Sequence, residues 1–326
     1  MKTASVSVVI PTRNGKDHLL VCLPSLARQT LRPLEVIVVD NASSDGTSDM
    51  LKSEFPWITL IQLDGNYGFA YAVNRGIEAS RGEHVALLND DTEVDQDWLL
   101  ELARGLESDR EVGSVASKML NFSDRTLVDA AGDELTRSGT PMSRGHGEPD
   151  GDVFTKPTYV FGACAGAALY RRSCLDQVGL LDEGFATHFR KQGIILSHFE
   201  DVDLAYRLQL AGYRCLYVPT AICYHKRGAT VSSRTPYVVQ VMERNLVNLY
   251  AKNTPLALLL GISPIIVAAR ARHFVRAVGS RRGSAVIRGF LQGIGQLPSS
   301  LRKRREIQRK RKVPAFYLRQ FMRRNP

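Results

Sequence analysis

The sequence lacks the short motifs that would assign its chemistry at once. Its five cysteines are an odd number and include no CxxC pair, which argues against a disulfide-stapled scaffold. It contains neither a GxGxxG fingerprint nor a GxxxxGK[ST] loop, so dehydrogenase and P-loop interpretations are weakened. We interpret the cysteines as small buried apolar side chains in a reducing compartment.

Long apolar runs are also scarce. The N-terminal run ends at Ile10, which is too short for the core of a signal peptide. The longest apolar stretch, Leu256–Ala269, is interrupted by Gly261, Ser263 and Pro264, whereas a membrane-spanning helix needs about 20 residues. We therefore expect a cytoplasmic protein that lies on the inner face of a membrane without crossing it.

Acidic residues are nearly absent from the C-terminal quarter. Residues 251–326 contain 18 Lys and Arg but one acid, Glu306, and so carry a net charge of +17. Residues 1–250 contain 25 basic and 32 acidic residues, a net charge of −7. The total of +10 over 326 residues therefore averages an acidic head and a basic tail. Such a tail favours a polyanionic partner, either an anionic membrane or a nucleic acid.

The first part of the chain alternates apolar strand-like runs with helical patterns. The predicted strands are Val6–Ile10, Val36–Val39, Ile58–Leu63, Val85–Leu88 and Val112–Ala116. The predicted helices are Lys16–Arg28, Thr47–Phe55, Ala70–Ala79 and Trp98–Leu106. This order predicts an α/β fold with a mostly parallel sheet covered by helices. Residues 121–157, rich in glycine and polar residues, predict a long loop or hairpin over one edge of the site.

Polar residues that follow the strands are the candidate site, because ligands bind at the carboxyl ends of parallel strands. Asn89, Asp90 and Asp91 follow one predicted strand, and adjacent carboxylates are tolerable when a divalent cation binds them. A cation there could act as a Lewis acid for a departing diphosphate. The alternative is an ordinary solvated turn in which Asp91 caps the next helix.

Three other positions allow two interpretations each. Asn66, with Gly68, could serve a ligand or only form a loop–helix junction. Glu200 and Asp201 could complement a helix dipole, or one of them could be a general base. His225 could be structural, or its imidazole could complete a metal site.

Six segments, taken in order, resemble the family 2 glycosyltransferases, which have the GT-A fold. The resemblance covers roughly residues 5–250 and is greatest to a bacterial branch that contains rhamnosyltransferases. The matching segments are Val8–Asn14, Val38–Thr47, Asn66–Ala70 with Asn74, Leu88–Asp91, Gly162–Ala167, and Phe199–Leu204 with His225. The resemblance implies a GT-A catalytic domain over 1–250 and a basic, amphipathic helical tail over 251–326.

The resemblance also implies roles for individual residues. Asp201 would deprotonate the acceptor hydroxyl with support from Glu200, and Asp91 would be the chief metal ligand with His225 nearby. Asp40 would hydrogen-bond a pyrimidine ring. The nucleotide or donor sugar would also contact Pro11, Thr12, Arg13, Asn66, Asn74, Asn89 and Asp90. The segment beside the acceptor and donor sugar would contain Gly162, Ala163 and Gly166.

The implied reaction is an inverting transfer that depends on Mn²⁺ or Mg²⁺. The favoured donor is dTDP-rhamnose, and the acceptor would be a lipid-linked glycan or polysaccharide of the bacterial surface. A galactofuranosyl- or hexosyltransferase that uses a UDP-sugar is the alternative. A non-catalytic membrane- or nucleic-acid-binding protein on the same fold is the alternative from a different class.

Two departures from the family pattern stand out. The residue after Thr12 is commonly aromatic in the family but is Arg13 here. Residues 188–197 look like an insertion before Glu200, because Thr187-His-Phe nearly repeats as Ser197-His-Phe. We interpret it either as a flap that carries Arg190 and Lys191 toward an anionic acceptor or as a neutral surface loop.

The basic tail interleaves cations with apolar side chains at near-helical spacing, as in Phe274, Val275 and Phe290 among arginines. This pattern is typical of interfacial helices on an anionic bilayer, where a lipid-diphosphate acceptor would be found. Nucleic-acid binding and a solvated charged helix are the less favoured alternatives.

Overall fold

Fifteen strands and ten α-helices make up the computed structural model, which describes residues 4–189, 194–226, 235–278 and 282–323. The strands are β1 (Val6–Thr12), β2 (Glu35–Asp40), β3 (Thr59–Gln62), β4 (His84–Leu88), β5 (Thr92–Val94), β6 (Val112–Asn121), β7 (Val128–Ala130), β8 (Asp133–Thr136), β9 (Pro141–Ser143), β10 (Thr158–Val160), β11 (Ala167–Arg171), β12 (Ala186–Phe189), β13 (Ile194–Ser197), β14 (Arg214–His225) and β15 (Met322–Arg323). The helices are α1 (Lys16–Ala27), α2 (Thr47–Glu54), α3 (Phe69–Ala79), α4 (Trp98–Glu107), α5 (Arg172–Val178), α6 (Glu200–Leu210), α7 (Pro236–Asn253), α8 (Leu256–Val278), α9 (Gly283–Gly295) and α10 (Leu297–Arg309).

The central sheet has the strand order β10-β14-β6-β11-β4-β1-β2-β3, with β5 paired to β14 and β7 to β6. Strands β4, β1, β2 and β3 are parallel neighbours, and β14 is parallel to β6. Strand β11 lies antiparallel between β4 and β6. The sheet is therefore largely parallel, as predicted, and most of its strands end at one edge.

Helices cover both faces of the sheet because its central strands are apolar on both sides; all five residues of β4 are buried. On one face, Leu23 of α1 and Trp98 of α4 pack against Ile10 and Leu88. Another apolar core joins α3 and α6 to Val9, Leu87 and Ala168. The predicted helices and strands of the first 120 residues are confirmed to within a few residues at their ends.

The segment 121–157 has more regular structure than predicted. It contains the expected hairpin, β8–β9, but it also contributes β7 to the central sheet. The sequence did not predict β7 because Asp129 interrupts its short apolar run, Val128–Ala130.

The C-terminal helices pack on the rest of the chain through α7. Glycines let α9 approach α7 closely, since a Cβ at Gly293 would lie 2.8 Å from that of Val247. Within the described residues, Leu256–Ala277 of α8 is the one helix segment long and apolar enough to cross a membrane, and only 11% of its apolar stretch is buried. The predicted apolar stretch ended at Ala269 because arginines follow it, but the helix continues.

A buried network of ion pairs joins α6, α7 and α10. Asp203 of α6 lies 2.9 Å from Arg207 and 2.7 Å from Lys252 of α7. Lys252 also lies 2.6 Å from Asp182, and Lys303 of α10 is 2.6 Å from the same carboxylate. Burial opposes ionisation of both aspartates, but the neighbouring cations hold their pKa values below the usual range.

We predict that Lys252→Met destabilises the fold, because it removes a cation shared by two buried carboxylates. The free energy of unfolding in urea should fall by about 3 kcal/mol. The exposed Lys156→Met should change it by less than about 0.5 kcal/mol. Equal effects of the two substitutions would contradict the role assigned to the network.

Candidate active site

The edge where the parallel strands end collects most of the polar residues identified from the sequence. Thr12 at the end of β1 lies in register with Asp40 at the end of β2. His225 ends β14 beside Asn121 of β6. Since β11 runs in the opposite direction, the segment before it reaches the same edge, and the Asn89 amide donates a 2.9 Å bond to the Gly166 carbonyl. The sheet therefore brings residues distant in sequence together.

Asp90 is held beside Thr12 after β4. The Thr12 hydroxyl donates a 2.6 Å hydrogen bond to Asp90 Oδ2. Burial raises the pKa of Asp90 to about 7, and the charge of Asp91 adds to this, although the Thr12 bond opposes it. A nearby cation would therefore stabilise the ionised form of Asp90.

His225 lies between two carboxylates. Its Nε2 is 3.2 Å from Asp91 Oδ1, and its Nδ1 is 2.8 Å from Asp129 Oδ2. Burial alone would lower the pKa of His225, but the hydrogen bonds and charges of Asp129 and Asp91 raise it to about 9. Burial likewise opposes ionisation of Asp91, yet His225 holds the pKa of Asp91 below its usual value.

Asp129 is the site residue that sequence reasoning missed. It comes from β7, inside the segment interpreted as a loop, and it is 4% exposed. Its signal was an acid flanked by small apolar residues, Val128 and Ala130, which predicts little by itself. Only the pairing of β7 with β6 brings it to His225.

Two clefts adjoin at this edge. The first, of about 210 Å³, is lined by Pro11, Thr12, Arg13, Asn41, Asn66, Gly68, Phe69, Asn89, Asp90, Asp91 and Ile195. The second, of about 390 Å³, is lined by Phe69, Asn89, Asp91, Cys164, Ala165, Gly166, residues 195–201, His225 and Val238. Four residues line both clefts, so the two spaces meet beside Asp91.

Asp201 and Glu200 line the second cleft at the start of α6. Asp201 accepts hydrogen bonds from the backbone amides of Ala165, at 3.3 Å, and Val202, at 2.8 Å. Burial raises the pKa of Asp201, and these bonds oppose the rise. Burial and the charge of Asp201 raise the pKa of Glu200 to about 7, while Glu200 accepts a 2.8 Å bond from Ser197. A partly protonated pair of this kind suits proton transfer.

The residue before this pair has an unusual backbone. Phe199 has a φ of +72°, a left-handed conformation that large side chains rarely adopt. It precedes α6 directly, and the amide of Asp203 donates to its carbonyl. The turn at Phe199 therefore sets where α6 begins.

The structure leaves four predicted site residues outside the linings of the two clefts. Asp40 is buried, and its oxygens accept bonds from the Ser43 amide and the Ser48 hydroxyl. The Asn74 amide bonds Leu181 and Glu183, which fastens α3 to the loop after α5. Gly162 and Ala163 lie behind the cleft, where a Cβ at Gly162 would be 2.5 Å from that of Ala205. Their proposed ligand contacts stay predictions.

The described residues of segment 188–197, which we interpret from the sequence as an insertion, belong to the antiparallel pair β12–β13. Phe189 pairs with Ile194 and His188 with Ile195 in antiparallel register. Ile195 lines both clefts, so the insertion contributes a wall to the candidate site. Arg190 and Lys191, which we expected to reach an acceptor, lie outside the described residues.

The family comparison agrees with this geometry. The sequence profile of glycosyl transferase family 2 matches residues 7–179, more than half of the chain. The chain belongs to glycosyl transferase family 2. The GT-A fold and transferase activity predicted from the ordered motifs are therefore confirmed.

Several curated relatives resemble this glycosyltransferase. An N-acetylglucosaminyl-diphospho-decaprenol L-rhamnosyltransferase of Mycobacterium tuberculosis is 29% identical over 268 residues, which cover 70% of this chain and 78% of the relative. The putative glycosyltransferase EpsH of Bacillus subtilis is 26% identical, with 78% of this chain and 69% of the relative covered. An uncharacterised Sinorhizobium fredii protein is 30% identical, and the match spans only a quarter of its length.

Solved structures share the fold at low sequence identity. A mannosyltransferase from Pyrobaculum calidifontis, in complex with GDP-Man and Mn²⁺, has a TM-score of 0.54 and 19% identity, with 98% of this chain and 86% of that chain covered. Staphylococcus aureus TarS 1–349 has a TM-score of 0.55 and 17% identity, with 94% and 90% covered.

Two side chains of this glycosyltransferase fit a divalent cation. Asp91 offers a carboxylate oxygen and His225, once Nε2 has lost its proton, an imidazole nitrogen; these two atoms lie 3.2 Å apart. Among the described residues, no group of three or more His, Cys, Asp or Glu side chains could hold a metal. A small protein ligand set is common where substrate phosphates supply further oxygens.

All five cysteines are free, and four are buried. Burial raises the pKa of all five thiols, that of Cys22 to about 12. They are small apolar parts of the core, as predicted.

We predict that His225 of the metal-free enzyme titrates near pH 9 in an NMR experiment. Because the folded-state pKa is above 6.5, this contact stabilises the fold below pH 6.5, and the stabilisation is lost as the pH rises through about 9. Asp129→Asn should lower the titration midpoint by about one pH unit or more. The exposed Asp152→Asn should leave it unchanged. A midpoint insensitive to Asp129→Asn would contradict this account.

Proposed function

We propose that the chain is a metal-dependent inverting glycosyltransferase that moves a sugar from a nucleotide-sugar to a glycan acceptor. One observation carries the proposal. The second cleft is lined both by Asp91 and His225, which suit a divalent cation, and by Asp201, which suits a general base. A cation assists departure of the nucleoside diphosphate, and a base assists attack by the acceptor hydroxyl on the opposite face of the anomeric carbon.

The first cleft would hold the donor nucleotide. It is lined by Pro11, Thr12, Arg13, Asn66, Asn89 and Asp90, and Asn89 also lines the second cleft. Arg13 is exposed at the cleft and supplies a cation for a phosphate. The metal would be held by Asp91 and His225, with Asp90 beside them. When bound, a divalent cation neutralises charge that develops on the departing diphosphate.

The second cleft would hold the acceptor. An acceptor hydroxyl transfers its proton to Asp201 as it attacks the anomeric carbon. The amides of Ala165 and Val202 orient the Asp201 carboxylate through its two oxygens. Glu200 lies beside Asp201, and burial together with the charge of Asp201 raises the pKa of Glu200 to about 7. Gly166 lets the segment before β11 pass close to Asn89, since an added Cβ would lie 3.2 Å from the Asn89 amide nitrogen.

The favoured donor is dTDP-rhamnose, and the favoured acceptor is a lipid-linked glycan of cell-wall or surface-polysaccharide synthesis. The support is the 29% identity to a rhamnosyltransferase whose name specifies a decaprenol-diphosphate acceptor. The mannosyltransferase with the same fold was solved with GDP-Man and Mn²⁺, which supports a nucleotide-sugar and a divalent cation in general. A UDP-linked hexose or galactofuranose is the alternative donor.

We also propose that α8 and α9, in the segment 251–326, rest on the inner face of an anionic membrane. Large apolar side chains are exposed on both helices, with Leu260, Val267 and Val275 of α8 each more than 60% exposed. On α9, Phe290 and Leu291 are 45% and 59% exposed. Arginines flank these residues, which is typical of interfacial helices.

We predict that Asp201→Asn abolishes transfer but keeps donor binding. To identify the donor, dTDP-rhamnose, UDP-sugars and GDP-sugars are each incubated with the protein, a lipid-linked acceptor and Mn²⁺ or Mg²⁺. The release of nucleoside diphosphate is then measured. Loss of the base should then reduce kcat by about 10²- to 10⁴-fold. Because the pKa of Asp201 is raised, wild-type activity should fall with decreasing pH at a value above 3.8.

The exposed Asp152→Asn is the matched control and should retain wild-type activity. Unchanged transfer by Asp201→Asn, or no release from any donor with a suitable acceptor, would refute the proposed function.

We predict that the membrane contact depends on both apolar and basic residues. In flotation assays, the full chain should bind vesicles containing anionic lipid and bind neutral vesicles weakly. The variant Val267→Ser/Val275→Ser should lose most of this binding, because both side chains are exposed on α8. The control is Val153→Ser, which changes an equally exposed valine outside α8 and α9. Equal flotation of the α8 variant and the control would contradict the proposal.

A further inference from the structure

Two polar and two apolar side chains line both clefts and so lie where the clefts meet. Asn89 and Asp91 line both clefts, and so do Phe69 and Ile195. If the proposed function holds, the nucleotide departs from the first cleft while the acceptor attacks from the second. We therefore expect the transferred sugar to occupy the junction, beside these four side chains.

The position of Ile195 is fixed by contacts on both sides of its strand. Its Cγ2 packs against Gly68, where an added Cβ would lie 2.8 Å from it. The next residue, Leu196, packs with Val238 and Val241 of α7. The hairpin thus holds the Ile195 side chain at the junction, and α7 holds the hairpin.

The second apolar side chain at the junction comes from the start of α3. Phe69 is the first residue of α3 and packs against a buried apolar core, which leaves its exposed part at the clefts. Neither Phe69 nor Ile195 offers a side-chain donor or acceptor. A sugar hydroxyl group placed against these two side chains would lose its hydrating water, and neither side chain could replace the lost hydrogen bond.

We propose that Ile195 and Phe69 determine sugar specificity by accepting the methyl group of a 6-deoxyhexose. A C6 methyl group buries apolar surface against them, whereas a C6 hydroxymethyl group must bury a hydroxyl against hydrocarbon. Discrimination by such a surface is moderate, because an apolar pocket rejects an added hydroxyl by about 10²-fold at most. This inference rests on the proposed function and assigns a role to the inserted hairpin.

The test compares donors that differ only at C6. Dissociation constants are measured by calorimetry with the full chain and Mn²⁺, using 6-deoxyglucose and glucose, each linked to dTDP and to UDP. The wild type should bind the 6-deoxy donor about tenfold more tightly than its hexose counterpart. Ile195→Thr keeps a branched side chain but adds a hydroxyl, and it should bring this ratio close to one.

Ile194→Thr is the matched control. Ile194 lies on the same strand, packs toward Leu196 and α7, and lines neither cleft, so the variant should keep the wild-type ratio. Binding of dTDP and UDP alone is measured in parallel. If a nucleotide binds but the wild type shows no preference, or Ile195→Thr keeps the preference, the inference is overturned and the proposed function stands. If no nucleotide binds with or without Mn²⁺, the proposed function fails and the inference fails with it.

Discussion

Crowding of carboxylates at one edge of the central sheet is the constraint on which the rest of the site depends. Parallel strands deliver Asp90 and Asp91 to the same place as Asp129, and the start of α6 adds Glu200 and Asp201 across the cleft. Buried negative charges so close together are costly unless protons or cations compensate them. His225 between Asp91 and Asp129 provides part of that compensation. Burial, with a further contribution from the neighbouring carboxylate, raises the pKa values of Asp90 and Glu200 to about 7 each.

A second set of charges supports the first from behind. Asp203 is one turn into α6, and its ion pairs with Arg207 and Lys252 hold the helix that begins with Glu200 and Asp201. Arg244 of α7 donates to three consecutive carbonyls, those of Gly184, Phe185 and Ala186, where the hairpin β12–β13 begins. Helix α7 therefore supports both the start of α6, with Asp201, and the hairpin, although it lines the second cleft only with Val238.

Much of the fold and part of the site could be predicted from the sequence, for physical reasons. Buried parallel strands are continuous apolar runs, so the sequence predicts β1, β2 and β4. Asp90 and Asp91 are predicted as site residues because they follow the end of β4. Asp129 could not be predicted, because its role depends on the pairing of β7 with β6, a long-range contact without a local pattern. The linings of the clefts could not be predicted either. The sequence predicts that Asp40 and Asn74 contact the nucleotide, whereas in the structure both side chains hydrogen-bond to neighbouring segments of the protein.

The ion pairs of Lys252 and Lys303 change what the high positive charge of residues 251–326 signifies. Lys252 is 5% exposed and neutralises carboxylates inside the protein, and Lys303 pairs with the same Asp182. Arg270 is likewise paired with Glu243 of α7. Net charge counted along a sequence therefore overstates the electrostatic potential that a distant bilayer would feel. A shortened chain that ends before Lys252 would leave Asp203 and Asp182 short of counter-charges, so it would report on folding before it reported on membrane attraction.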